Sequence, residues 1–160
     1  MIRKLFIISA LLSPLAVTAQ PLPTSPYLPL ELATKAATEA LAACAALGHN
    51  VSVAVVARDG ATKVLLKADN SGPHTGASAQ GKAFAAAALG RDTGGLADFI
   101  AGKPANDGLR DMDPRLVIQA GGLPVRFDKA LVAGIGVGGA PSGDIDTTCA
   151  AAGLKAIGAQ

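Results

Sequence analysis

His74 is the residue of this sequence best placed to do chemistry. It stands in Pro73-His74-Thr75, just ahead of a helical pattern whose first turns carry Ser78 and Lys82. An imidazole on a proline-stiffened loop can coordinate iron through a ring nitrogen, act as a general base, or bond a carboxylate. The competing reading is a surface histidine that caps the helix. Lys82 lies two turns after Thr75, near enough to meet an anion over that helix N-terminus, although a solvated lysine fits the same spacing. The second histidine, His49, needs no ligand: it follows Gly48 at the end of the first helical pattern, where a cation suits the helix dipole.

A second chemical candidate is the stretch LVAGIGVGGAPSG, residues 131–143, which reads as a buried strand, a glycine-rich bend and a helix start. Backbone N–H groups of such a bend can receive an anion, so Gly138, Gly139 and Ser142 join His74 and Lys82 as candidate ligand-binding residues. Gly134, Gly136 and Gly139 also fit G-x-G-x-x-G. Only one helical pattern follows them, with no second strand, so a dinucleotide site is not expected. The plainer reading is that the glycines let a strand lie close under a helix and turn sharply into the next one. Asp144 and Asp146 suit the start of that last helix. No cluster with zinc or calcium ligand spacing and no G-x-S-x-G elbow is present in the sequence.

Composition bounds what these residues can serve. Residues 1–19, MIRKLFIISALLSPLAVTA, have a basic start, an apolar run and small residues before Gln20, the layout of a secretory signal peptide. Without Arg3 and Lys4 the chain has 12 basic against 12 acidic side chains, no net charge and no Trp, which argues against a nucleic-acid surface. No later apolar run is long enough to span a membrane. The expected product is periplasmic or secreted, with no membrane span after cleavage. In that setting Cys44 and Cys149 favour a disulfide over metal binding, and two buried free thiols are the alternative. A bridge would require the first and last helices to lie side by side.

The elements that must hold the candidates follow in order. Residues 20–29 carry four prolines and read as an extended lead-in to a single domain over residues 30–160. Helices are expected over 30–47, 77–89 and, capped by Thr93, 93–100. Strands are expected over 51–57, 62–68, 116–119, 124–127 and 131–137, and a last helix after the glycine bend. Short turns between neighbouring strands predict a mainly antiparallel sheet and an α+β fold.

The blocks VSVAVVARDG, GPHTGASAQGKAFAAA, AGGLPV and LVAGIGVGGAPSGDIDTTCAAAGLKAI, in this order and spacing, resemble the GlcG/HbpS-like haem-binding family, which also supplies the C-terminal module of PduO-type proteins. The resemblance spans residues 30–157. It implies a profilin-like domain with an antiparallel five-stranded sheet, the first and last helices together on one face and the middle helices on the other. It also implies a place for Cys44 near Cys149, a tendency to homo-oligomers and, in some members, haem binding in exported settings linked to iron or redox sensing. His74, Ala79, Lys82 and Ala83 match the family's P-H-x-x-x-x-A-x-x-K-A pattern. Gly121, Gly122 and Pro124 match its G-G-x-P turn, Gly136, Gly138 and Gly139 its glycine bend, and Asp146 its acidic position. Thr147 departs where a second acidic residue often stands, and Gly81 is a softener in mid-helix costing about 1 kcal/mol against alanine.

The leading expectation is therefore an exported module that takes haem or another small anionic ligand. His74 would meet the iron, and Lys82 with the loop N–H groups would meet the propionates. The rivals are a small enzyme on an organic acid, with His74 as general base and the glycine bend as oxyanion site, and an oligomer in which the glycines serve only packing.

Overall fold

The structure is a computed structural model that describes residues 20–160, so the expected signal peptide lies outside the described residues. In chain order the elements are α1 (Leu30–Ala46), β1 (Ser52–Ala57), β2 (Thr62–Lys67), α2 (Thr75–Leu89), α3 (Thr93–Ala101), a 3-10 run (Pro104–Asp111), β3 (Gly122–Phe127), β4 (Ala130–Gly138) and α4 (Gly143–Ala156). The fold is α+β. Its four strands are all antiparallel in the order β2-β1-β4-β3, two hairpins joined edge to edge through β1 and β4.

The alternation along β4 decides how the layers stack. Ala133, Ile135 and Val137 face the main core, where they meet Ala33, Ala36, Ala37 and Ala40 of α1 and Ala150 and Leu154 of α4. Gly134 and Gly136 face the other way, and a Cβ at either would run into the backbone of Ala83 or Ala79 in α2. A stripe without side chains thus lets α2 sit directly on the sheet. The same device recurs between α1 and α4, where a Cβ on Gly153 would strike the Ala36 carbonyl and come within 3.1 Å of the Ala40 methyl. The terminal helices consequently share one face of the sheet, and Cys44 and Cys149, both fully buried, are bridged there with Cα atoms 5.4 Å apart.

Three local expectations change. Among the described residues the sheet has four strands and not five. Residues 116–119 stay irregular because they lie across the outside of α2, where the Val117 amide donates to the Gly81 carbonyl at 3.3 Å. That contact also accounts for Gly81, since a Cβ there would run into the Val117 side chain and come within 3.0 Å of the Arg115 carbonyl. The cap of α3 is Asp92, whose carboxylate accepts from the Gly95 amide at 2.6 Å. Thr93 is instead buried, donating to the Gln119 carbonyl at 2.6 Å and accepting from the Gly122 amide at 2.8 Å. The first helix, expected over 30–47, ends at Ala46, and Leu47 beyond it is 54% exposed. No helix among the described residues is long and apolar enough to cross a membrane.

The bridge closes a loop with a sequence separation of 105 residues. Constraint of so long a loop in the unfolded chain predicts that replacing both cysteines by serine lowers unfolding free energy by about 2–5 kcal/mol. Urea titrations of the double variant and of wild type with and without reductant check this. An unchanged midpoint in both would mean the bridge does not stabilise the fold.

Candidate functional site

Lys82 is not solvated. Its ammonium lies 2.8 Å from Asp146 Oδ2 and 3.0 Å from the Val137 carbonyl, with the two side chains only 3% and 4% exposed. The other oxygen of Asp146 accepts from the Ala140 amide at 3.1 Å, in the bend after β4. The anion within reach of both Lys82 and the glycine bend is therefore the chain's own carboxylate. Gly121 completes this knot. Its carbonyl accepts from the Val137 amide at 2.9 Å, its φ is +121°, and a Cβ on it would lie within 2.9 Å of Lys82 Nζ, the Asp146 Cβ and the Val137 carbonyl.

The remaining members of the expected site lie at the first turn of α2. Gly139 has φ +127°, and a Cβ on it would sit 3.0 Å from the Thr75 methyl, while one on Gly138 would sit 2.8 Å from Ser78 Oγ. Both glycines therefore pack under the helix start. Ser142 caps α4, its hydroxyl accepting from the Ile145 amide at 3.3 Å. The structure brings Lys82, Asp146 and the bend together, and leaves His74 separate from them on the outer side of α2.

His74 occupies the N-cap position of α2 with helical dihedrals (φ −82°, ψ −16°), is exposed, and makes no capping hydrogen bond with its side chain. Its ring folds back over Gly72, where an added Cβ would lie 2.9 Å from Cε1 and 3.1 Å from Nδ1. Lys67, at the end of β2, holds this loop from beneath. Its ammonium lies 2.8 Å from the Ser71 carbonyl, 2.6 Å from Ser71 Oγ, 2.7 Å from the Gly72 carbonyl and 3.2 Å from Thr75 Oγ1. Thr75, in turn, bonds the buried Ser52 hydroxyl at 2.8 Å. No sequence motif marks Lys67, because its partners come from a loop with no fixed spacing rule.

Helical spacing places His74 on the same face of α2 as Ser78 and Gly81. That face runs into a hollow of about 380 Å³ between α2, the β1–β2 hairpin and residues 114–117. Val56, Phe84, Pro114 and Val117 make its walls largely apolar, and Arg115 is the one charged residue on them. The guanidinium stacks 4.0 Å from the Phe84 ring centroid and forks onto Asp113, with Nε to Oδ1 at 2.9 Å and Nη2 to Oδ2 at 2.6 Å. These hydrogen bonds hold the Asp113 carboxyl down from 3.8 to about 2 and raise Arg115. Sequence reasoning missed this hollow, since its walls come from three separated segments.

Comparison with known proteins follows the same outline. The family model described as "Haem degrading protein HbpS-like" matches residues 28–155. A double mutant of Streptomyces reticuli HbpS is 45% identical, with 89% of this chain and 95% of that one covered and a TM-score of 0.80. Another HbpS crystal structure is 46% identical, covering 87% and 97%, with the same TM-score of 0.80. A complex of PduOC with haem shares the fold at 22% identity, covering 84% and 98%, with a TM-score of 0.75. No curated protein matches the chain.

Two outcomes follow from this geometry. Lys82→Met strands the buried Asp146 carboxylate and is expected to lower stability by about 3–5 kcal/mol, with much of that recovered in Lys82→Met/Asp146→Leu. Equilibrium urea unfolding of the single and double variants measures it, and equal losses in both would contradict a stranded charge. For Asp113, the depressed carboxyl keeps its ion pair intact above the ordinary value of 3.8 and loses it as pH falls through about 2. Carboxyl NMR titration should show that midpoint, returning toward 3.8 in Arg115→Gln.

Proposed function

Because this chain belongs to the haem-degrading HbpS-like family, we propose that it binds haem, with the His74 imidazole as the iron ligand. The observation that carries this reading is the position of His74, exposed at the start of α2 and on the helix face that leads into the apolar hollow. Its side chain is not spent on capping, and neutral imidazole is a common haem ligand. The hollow fits the edge of a macrocycle: its 380 Å³ falls at the low end of small-molecule sites, about 300–1,000 Å³. The binding of haem by PduOC, which has the same fold, is in keeping with this.

Haem, when bound, would supply an iron centre for electron transfer or for a further small ligand. The chain's part is to present one nitrogen ligand from a braced loop. Lys67 and Thr75 fasten the carbonyls beneath His74, so the imidazole is offered from a fixed base. Lys82 serves by holding the other side of α2 to α4, and not by meeting the ligand. An oxyanion site on the glycine bend is disfavoured, because the Ala140 amide is already bonded to Asp146.

The protein acts outside the cytoplasm and self-associates, in a role tied to haem, iron or redox sensing. Export is supported by the layout of residues 1–19 and by the Cys44–Cys149 bridge, which is at home in an oxidising compartment. Self-association is supported by a hollow that covers only part of a porphyrin, leaving the remainder to a second copy.

Titration of haemin into purified protein should give a saturable Soret band. His74→Ala is expected to shift that band and weaken binding by about tenfold or more, the order seen when a metal site loses even an outer partner. Binding that is unsaturable and insensitive to the substitution would defeat the reading. Intact mass of exported material should correspond to a chain beginning at Gln20.

A further inference from the structure

Resting on the haem reading, we propose that Arg115 is the carboxylate-binding residue of the hollow, taking a ligand carboxylate on the end-on edge of its guanidinium while Asp113 holds the side edge. The hollow pairs apolar walls with one cation, a composition suited to a flat apolar body carrying an acid group at its rim. Haem has that form.

The guanidinium is already aimed. Stacking on Phe84 at 4.0 Å fixes its plane, and Asp113 takes Nε and Nη2 from the flank, while the Arg115 amide bonds the same Asp113 oxygen at 2.9 Å. Nη1 has no hydrogen-bond partner among the described residues, and the Arg115 side chain is 59% exposed, so that edge is open to a ligand. A guanidinium has five donors in a rigid fork, which leaves the Nη1–Nη2 edge for a second, bidentate carboxylate. Arg58, across Phe84 in an adjoining hollow of about 190 Å³, is not equivalent, because its Nη1 donates to the Ala87 carbonyl at 2.9 Å. Arg115 also lies level with Gly81, two turns and about 10 Å along α2 from His74. Iron ligand and carboxylate partner thereby stand at opposite ends of one helix face.

The test compares haemin with haemin dimethyl ester, whose carboxylates are masked, on wild type, Arg115→Gln and Arg115→Lys at low salt. Wild type is expected to prefer haemin over the ester by about tenfold, the scale of a hydrogen-bonded charge pair. Arg115→Gln should abolish that preference and leave ester affinity and the His74-dependent Soret position unchanged. Arg115→Lys, which keeps charge but not the fork, should fall between. If both porphyrins bind wild type and the preference survives in Arg115→Gln, the role of Arg115 is overturned while the haem reading stands. If neither porphyrin binds wild type, the haem reading fails and takes this role with it.

Discussion

The buried ion pair between Lys82 and Asp146 is the constraint around which the domain is assembled. Two charges removed from water are tolerated only when each is fully partnered, and here both are: the ammonium by a carboxylate and the Val137 carbonyl, the carboxylate also by the Ala140 amide. These partners come from α2, the end of β4, the bend that follows it and α4. Any shift of one layer against another would unpair a charge in the interior, so the pair sets the register of α2 and α4 on opposite sides of the sheet. It also explains why Gly121 has no side chain: the space a Cβ would need is taken by the pair itself.

Around this knot the layers approach more closely than branched side chains allow. Gly134 and Gly136 bring α2 onto β4, Gly153 brings α4 onto α1, and alanines fill most of the remaining helix contacts. Small residues bury little apolar area each, so their contribution comes from tight contact and not from bulk. The disulfide between α1 and α4 adds a constraint on the unfolded chain where the core holds few large side chains.

Tight packing holds the inner side of α2 to the sheet and leaves its outer side uncovered by any strand. The first turns present His74, Ser78 and Gly81, and only the segment after Asp113 crosses them, leaving the hollow beside Phe84. The family-matching positions thus divide into two groups. Lys82, Gly121, Gly136, Gly138 and Asp146 maintain the knot and the packing beneath it, whereas His74 stands outside, on a loop braced by Lys67 and Thr75. A rigid inner face and a solvent-facing imidazole share one helix, so the imidazole carries none of the core packing.

What the sequence alone determined is local. The strands expected over 51–57, 62–68, 124–127 and 131–137 and the helices over 30–47, 77–89 and 93–100 lie within a few residues of their observed places, because each depends on neighbours close along the chain. The anion-receiving character of the glycine bend and of Lys82 was legible for the same reason. Only the tertiary structure decided that the anion is Asp146, 64 residues from Lys82, that residues 116–119 lie on a helix and not in the sheet, and that an apolar hollow opens beside Gly81 and Phe84. Charge partners, sheet membership and cavities arise between segments distant in sequence. No spacing rule encodes them, and they exist only once the chain has closed those distances.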